Sequence, residues 1–423
     1  MYTFEDRRTC RICGGTELHP YLDLGPQPPS NAFIPESAIA QEQKIPLVVN
    51  LCTACGLSQL SVVVSATEVF GEYAYRSSSS RALEGSFRDL AVDVRPYAQR
   101  AHRRPLVVDI GCNDGLLLAQ LPRHEYRVLG VEPSSAAEDA RARGFAVSDV
   151  FFGEVTARDL LTEYGPADVI TTSNVLAHVD DIHSFLEGIS IWLAPRGCFI
   201  LEFPYIVDML QGLWFDTIYH EHVSYLAITT LQMALTEHGL CIKRIDHHDV
   251  GGSGPFVRVF IERYDSSGPA SDAVSSYERR ELILGIADPR TYVAFADSVS
   301  RLAEILRTEV EDWNADGFKV GAFGAPAKGN TLLNFLGFTP ETVCVAADNT
   351  PGKIGLVTPG SHIPIVSDAD FLDLGVDLAV LLSWNYADYF MAHTEYIRRG
   401  GRFLCPFPTP QIRSNVDNSR RTL

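Results

Sequence analysis

The sequence lacks the marks of several protein classes. No apolar run approaches the roughly 20 residues needed to span a bilayer, although 46% of the 423 residues are hydrophobic and the mean hydropathy is +0.03. The opening Met-Tyr-Thr-Phe-Glu-Asp-Arg-Arg has no apolar signal core, so a cytoplasmic protein is expected. Positive charge is scarce. There are 35 Lys and Arg against 53 Asp and Glu, a net charge of −18, which argues against nucleic acid and anionic membrane as partners. A phosphorylated small molecule needs only a few local cations and stays open. Low-complexity tracts and short-period repeats are absent. What remains is a globular chain too long for one ordinary core, so two or three domains are expected. Nothing in it demands an oligomer, and a monomer is the expectation.

The nine cysteines are odd in number and unevenly spaced, which does not fit a disulfide framework. Five are scattered in apolar segments and read as buried thiols. The other four form Cys10-Arg-Ile-Cys13-Gly-Gly and Cys52-Thr-Ala-Cys55-Gly, with 38 residues between the pairs. Each pair is followed by glycine, as in a zinc knuckle. Four thiolates suit a tetrahedral Zn²⁺ and leave no open position, so the metal would be structural. A redox dithiol would need a thioredoxin-like unit, and none is visible. With Pro26, Pro28 and Pro29 inside it, a segment this small needs the metal to fold.

Three segments differ in character: a zinc-binding module over 1–69, an α/β domain over 70–266 and a second α/β unit over 267–423. In the middle segment Leu106–Ile110 reads as a buried parallel strand, Gly111–Gly115 as a loop and Leu116 onward as a helix. Strands follow over 126–131, 169–172 and 198–202. The last two, 241–245 and 256–261, are joined by a short glycine-rich connection that implies an antiparallel hairpin. A parallel sheet ending in one antiparallel strand is the class I methyltransferase pattern. The third segment opens with helical spacing over Tyr292–Trp313. It then repeats strand–loop–helix at Lys319-Val-Gly-Ala-Phe-Gly-Ala-Pro-Ala-Lys-Gly-Asn330, as a smaller Rossmann-like unit.

Asp109-Ile-Gly111-Cys-Asn113-Asp114-Gly115 resembles the first motif of S-adenosylmethionine (SAM) methyltransferases. Glycine admits close approach of the ligand. Glu132, 23 residues after Asp109, stands where a carboxylate accepts both ribose hydroxyls. A dinucleotide loop would need a third glycine, and the acidic Asp109 and Asp114 would repel a pyrophosphate while suiting a sulfonium. Asn174, at the exit of the fourth strand, should face the cofactor or cap the next helix, and His178 should face the substrate. Asp149 and Phe151, after the third strand, lie where adenine stacks.

Tyr219-His220-Glu221-His222-Val-Ser-Tyr225 follows the fifth strand on the same crevice edge. Carbon methylation needs a nucleophilic carbon, and a sugar carbon becomes one beside a carbonyl, by losing a proton. An imidazole is a plausible base at neutral pH, but only with donors that hold the enolate oxygen. Tyr219 could be such a donor. Spacing alone does not choose between His220 and His222. If the segment is extended, both point one way and Glu221 the other, which weakens Glu221 as the group orienting the imidazole. Two histidines two apart could also hold a metal, but no third ligand is near. Lys328 and Asn330 open a helix after a glycine-rich loop, a favourable phosphate site; a solvated surface lysine is the bland alternative.

Together these motifs resemble the zinc-containing SAM-dependent sugar C-3′-methyltransferases that act on dTDP-4-keto deoxysugars. The resemblance spans the chain, from the four-cysteine module through Asn174-Val-Leu-Ala-His178-Val and the Tyr219–Tyr225 block to Gly324-Ala-Pro-Ala-Lys-Gly-Asn330. It implies a class I methyltransferase domain flanked by the zinc module and a C-terminal Rossmann-like domain, with SAM as cofactor and a nucleotide-linked keto sugar as substrate. It implies a branched-chain deoxysugar product, of use in natural-product biosynthesis. It also implies that His222 is the base, assisted by Tyr219, Glu221, His178 and Tyr73, and that Lys328 and Asn330 contact the nucleotide phosphates, with His220 and Tyr225 also placed at the substrate. An O- or N-methyltransferase on another small acceptor, or a non-enzymatic binding module, are the competing expectations.

Overall fold

The computed structural model describes residues 2–71, 76–79, 81–249, 254–264, 272–350 and 352–415. Tyr73 lies outside them. Its central sheet has seven strands. In spatial order they are Leu240–His248, Phe256–Arg263, Leu193–Phe203, Ala167–Ser173, Leu106–Ile110, Arg127–Val131 and Ala146–Ser148. Five run parallel. Phe256–Arg263 is antiparallel to both its neighbours, as the short hairpin connection requires. The strand Leu106–Ile110 is buried throughout, because helices cover both faces of a parallel sheet.

The expected helix from Leu116 does not form. Turn and one 3₁₀ turn, Leu118–Gln120, take its place. Pro122 disfavours helical conformation in the residue before it and has no N–H to donate to a continuing ladder, so the chain turns at once into the next strand.

The C-terminal unit is a six-stranded sheet in the order Ile365–Val366, Ala346–Ala347, Val320–Phe323, Leu378–Leu381, Arg402–Cys405, Gln411–Arg413, parallel except for the last strand. It is preceded by the helix Pro289–Ala315. Proline at its first position and the Asp288 side chain accepting from the Arg290 amide start this helix. Its buried stripe of Tyr292, Phe295, Val299, Leu302, Leu306, Val310 and Trp313 keeps the 3–4 spacing. Tyr292 packs on Tyr21 of the N-terminal module, ring centres 4.7 Å apart.

The N-terminal module is an antiparallel sheet of Leu18–Gln27, Ile45–Cys52 and Ser58–Leu60, and its fourth strand is Ser224–Tyr225. The block singled out in sequence thus ends as an edge strand of another module's sheet. The helix Ala327–Leu336 closes the third side. Its Thr331 hydroxyl donates to the Ile218 carbonyl (3.0 Å), and the Asn330 amide to the Ser30 carbonyl (2.7 Å). All three segments converge on residues 217–225. Among the described residues no helix is long and apolar enough to cross a membrane.

Candidate active site

A cavity of about 750 Å³ opens at the carboxyl ends of the parallel strands and runs to the C-terminal unit. Large pockets in open α/β sheets form at this edge. Gly111, Asn113, Glu132, Phe151, Asn174, His178, Tyr219, His222 and Lys328 line it.

At the sheet end, Gly111 has φ +74°, and a Cβ there would lie 2.3 Å from the Val175 side chain. Asn113 and Asn174 hold left-handed backbone, φ 50° and 58°. Asparagine tolerates that region better than most residues, and such strain collects at functional sites. One Glu132 oxygen accepts from the Asn113 amide and the other from the Ser134 amide, both at 2.9 Å. The carboxylate is thereby aimed, with lone pairs left for two hydroxyls. Charge-assisted hydrogen bonds are each worth about 1.5–3 kcal/mol, so Glu132→Ala should raise the SAM dissociation constant by at least about tenfold. Calorimetric titration of the variant with SAM checks this.

Several expected cofactor contacts sit elsewhere. Asp109 lies beneath the cavity floor, accepts from the Thr171 hydroxyl at 2.8 Å, and burial pushes its carboxyl up to about 7. Its carboxylate is taken up by the neighbouring strand Ala167–Ser173, so it braces the sheet. Asp114 turns back to Arg143 and the Ser78 amide, each at 3.3 Å. Gly115 packs against Phe145 and Ala140. Asp149 is exposed and pairs with Arg141 at 3.5 Å. Phe151 does reach the cavity. Sequence reading missed Ser77, whose amide donates to the Asn113 side chain (2.9 Å), and Leu83 and Phe87, which roof the cavity. They precede the sheet, where no motif marks them.

Over Tyr219–His222 the chain is not extended. The His222 amide donates to the Tyr219 carbonyl at 2.8 Å, closing a turn that sends the two histidines to opposite sides. The His220 ring turns away from the cavity to the Ile45 and Pro46 carbonyls, 3.2 Å from each. Tyr225 is buried in the strand paired with Ser58. Neither contacts the cavity, because the turn and the strand that follows fix their direction.

His222 Nδ1 lies 2.9 Å from the Thr217 carbonyl. A carbonyl only accepts, so Nδ1 carries the proton and Nε2 a lone pair. Tyr219 Oη donates to Nε2 at 2.7 Å. Burial, and then the neighbouring His178, hold the His222 pKa well below the ordinary 6.5. Burial brings His178 to about 4. Its Nδ1–H donates to the Glu221 carbonyl at 2.6 Å. The Glu221 carboxylate does not touch His222; one oxygen accepts from Asn31 Nδ2 at 3.0 Å. The Thr217 carbonyl does the orienting that sequence assigned to Glu221. Asn31 is 190 residues from Glu221, a pairing no local pattern reveals.

These directions set a pH dependence. The imidazole expected to act as base works in its neutral form, and a lowered pKa keeps His222 neutral in more acidic solution. The acidic limb of the kcat/KM profile should therefore fall well below 6.5, leaving the rate flat where an ordinary imidazole would be half protonated. A pH–rate profile taken from pH 8 downward checks this.

The far wall carries cations. The Lys328 ammonium donates to Asn385 Oδ1 at 2.6 Å and sits 4.0 Å over the Trp384 ring, whose Nε1 donates to Asp216 at 2.7 Å. Burial lowers the Lys328 pKa, partly offset by Asp216. Lys353, missed in sequence, lines the same wall, donates to the Ala325 carbonyl at 2.8 Å and lies 3.4 Å from Asp348. Pro326 and Ala327 present the start of the helix Ala327–Leu336 there. Asn330 is fully buried against Ser30 and does not reach the cavity. One turn into the helix, it faces the module interface instead.

The ligand atoms of Cys10, Cys13, Cys52 and Cys55 all lie within 4.8 Å of one another, with Cys10–Cys55 at 3.4 Å and Cys13–Cys52 at 3.5 Å. A tetrahedron of Zn–S bonds near 2.3 Å needs sulfurs about 3.8 Å apart, so the set fits zinc. None of the four lines the cavity, which makes the metal structural.

Three family models match in succession: a zinc binding domain over residues 10–70, a methyltransferase domain over 83–243 and a C-methyltransferase C-terminal domain over 250–408. The C-methyltransferase NovU of Streptomyces niveus is 33% identical over 406 residues, 95% of this chain and 96% of its own. The chain belongs to this family of zinc-containing C-methyltransferases. It is a SAM-dependent methyltransferase with a class I Rossmann-like domain. A shorter similarity, 36% over 101 residues, joins 22% of the chain to 39% of a ubiquinone biosynthesis O-methyltransferase of Caulobacter sp. (strain K31). The SAH-bound magnesium protoporphyrin IX methyltransferase of Synechocystis PCC 6803 overlaps 43% of the chain and 83% of its own, at 14% identity and a TM-score of 0.33.

Proposed function

We propose that this C-methyltransferase methylates C3 of a nucleotide-linked 4-keto deoxysugar, with dTDP as the expected nucleotide, on the way to a branched-chain deoxysugar. The observation that supports it is the placing of three chemistries around one cavity: the Glu132–Asn113 ribose site, the neutral Tyr219–His222 pair, and the Lys328–Lys353 wall. A cationic wall opposite a base suits a substrate that carries its own diphosphate handle.

Bound SAM supplies the electrophilic methyl group. Glu132, Asn113, Asn174 and Phe151 hold it. The ketone at C4 acidifies C3–H, and His222 Nε2 takes that proton. In the resting structure the Tyr219 hydroxyl occupies Nε2; turning its O–H to the C4 oxygen frees the lone pair and supplies the enolate's donor in one motion. The Thr217 carbonyl stabilises the imidazolium that results, through the Nδ1–H it already holds. His178 stands beside the pair, ring centres 4.8 Å from His222, and completes the polar wall. Lys328 and Lys353 carry the diphosphate. The organic product is the C3-methylated 4-keto sugar.

Incubation of dTDP-4-keto deoxysugars with the protein and SAM in D₂O, read by mass spectrometry, tests this. Gain of one methyl, with deuterium at C3 of unreacted sugar, is expected. A methyl on a hydroxyl would move the assignment to O-methylation. No gain on any keto sugar, despite SAM binding, would remove the substrate class.

A further inference from the structure

The zinc knuckle holds a buried side chain that reaches toward the segments of His178 and His222. Arg11 lies between the ligands Cys10 and Cys13, and its side chain is fully buried. Its Nε donates to Asp180 Oδ1 at 2.8 Å, and one terminal nitrogen donates to the Leu60 carbonyl at 3.1 Å. Its own amide donates to the Gln59 side chain at 2.9 Å. Asp180 lines the cavity two residues after His178. Leu60 belongs to the strand Ser58–Leu60, which pairs with Ser224–Tyr225 at the end of the Tyr219–Tyr225 block: its amide donates to the Val223 carbonyl at 3.0 Å, next to His222. The Val223 amide in turn donates to the Ala177 carbonyl at 2.8 Å, next to His178. The adjacent knuckle carbonyl, Ile12, accepts from His183 Nε2 at 2.7 Å, so the loop around Asp180 is held at both ends.

A buried guanidinium is costly, and an apolar side chain of similar volume is commonly the more stable choice. Arg11 is therefore poorly explained by stability alone. Its rigid fork spans the segment that carries His178 and the strand that is hydrogen-bonded to Val223, next to His222, a task a flexible point charge does poorly.

We infer that Arg11 is a positioning residue for methyl transfer: held by the zinc knuckle, it sets the spacing of His178 and His222 through Asp180 and Leu60. The zinc then acts at the active site without touching it. This rests on the reading that the two histidines face the reacting sugar.

The test uses the full-length, zinc-loaded protein and Arg11→Met, Arg11→Lys, Asp180→Asn and the Arg11→Met/Asp180→Asn double variant. A misplacement near 1 Å costs about 10²-fold in rate, so Arg11→Met should lower kcat by about 10- to 100-fold. KM and the SAM dissociation constant should stay within about twofold, with zinc still one per chain. Arg11→Lys should recover part of kcat, and the double variant should be no slower than Arg11→Met. Independently of turnover, amide hydrogen exchange should quicken in peptides covering 176–181 and 219–226 of Arg11→Met, with the peptide covering 106–115 unchanged. The inference is overturned if Arg11→Met keeps kcat within twofold, or if kcat falls only together with zinc content and SAM binding. If the unaltered protein turns over no keto sugar, the substrate reading fails; the exchange measurement still decides Arg11.

Discussion

His222→Asn should lower kcat by about 10²- to 10⁴-fold, the range that general-base catalysis supplies. Asparagine keeps a donor near the Thr217 carbonyl and fits the space, so the turn from Tyr219 should survive. It has no basic lone pair for the C3 proton. SAM binding should change by less than about twofold, because the Glu132 carboxylate is held by the Asn113 and Ser134 amides and not by the turn that carries His222. Deuterium wash-in at C3 without SAM should fall by the same factor as kcat, since it reports the proton step alone. A variant keeping more than a tenth of the kcat would sink His222 as the base. Full wash-in with lost methylation would place its role after deprotonation.

Arg258→Leu is the second large expectation, and its effect is on stability. Arg258 is fully buried and stands directly across the sheet from Glu202, paired with it at 2.6 and 2.7 Å and with Asp93 at 2.5 Å. Glu202 is buried too and accepts from Ser173, a cavity residue, at 2.6 Å. Removing the guanidinium leaves Asp93 with Arg244, at 2.8 Å, but strands the Glu202 carboxylate. Breaking a buried pair from one side costs about 3–5 kcal/mol. The double change Arg258→Leu with Glu202→Leu should cost less than the single one, because no uncompensated charge remains. Urea unfolding midpoints of the unaltered protein and the two variants decide it. A loss under about 1 kcal/mol for the single variant would mean that the pair is far better solvated than its burial implies.

The parts legible in the sequence are those written in local pattern. Two Cys-x-x-Cys pairs with glycine after each name a thiolate site wherever the chain brings them, because ligand spacing within each pair is covalent. The apolar run Leu106–Ile110 and the glycine after it mark the first strand and its cofactor turn, and Glu132 follows at the end of the next strand. The antiparallel hairpin was readable from a connection too short for a crossover. Where local pattern met a local breaker it failed: the helix expected from Leu116 gives way before Pro122.

The errors at the site share another cause. Asp109, Asp114, Asp149, Asn330, His220 and Tyr225 lie close in sequence to cavity residues, yet their side chains point elsewhere. Adjacent residues on a strand face opposite sides, and one tight turn reverses the alternation. The groups sequence missed, Thr217 as the carbonyl that fixes the tautomer, Asn31 as the partner of Glu221, and Lys353 beside Lys328, carry no motif and act through position.

By itself the sequence determined the three kinds of unit, the metal, the cofactor class and the short list of chemical groups, since each follows from residue types at covalently set spacing. Only the tertiary structure decided which imidazole faces the cavity, what orients it, and that the strand after it belongs to the zinc module's sheet. Those choices depend on contacts between residues up to about 190 positions apart, and such contacts form only when separate elements pack, so no window along the chain contains them.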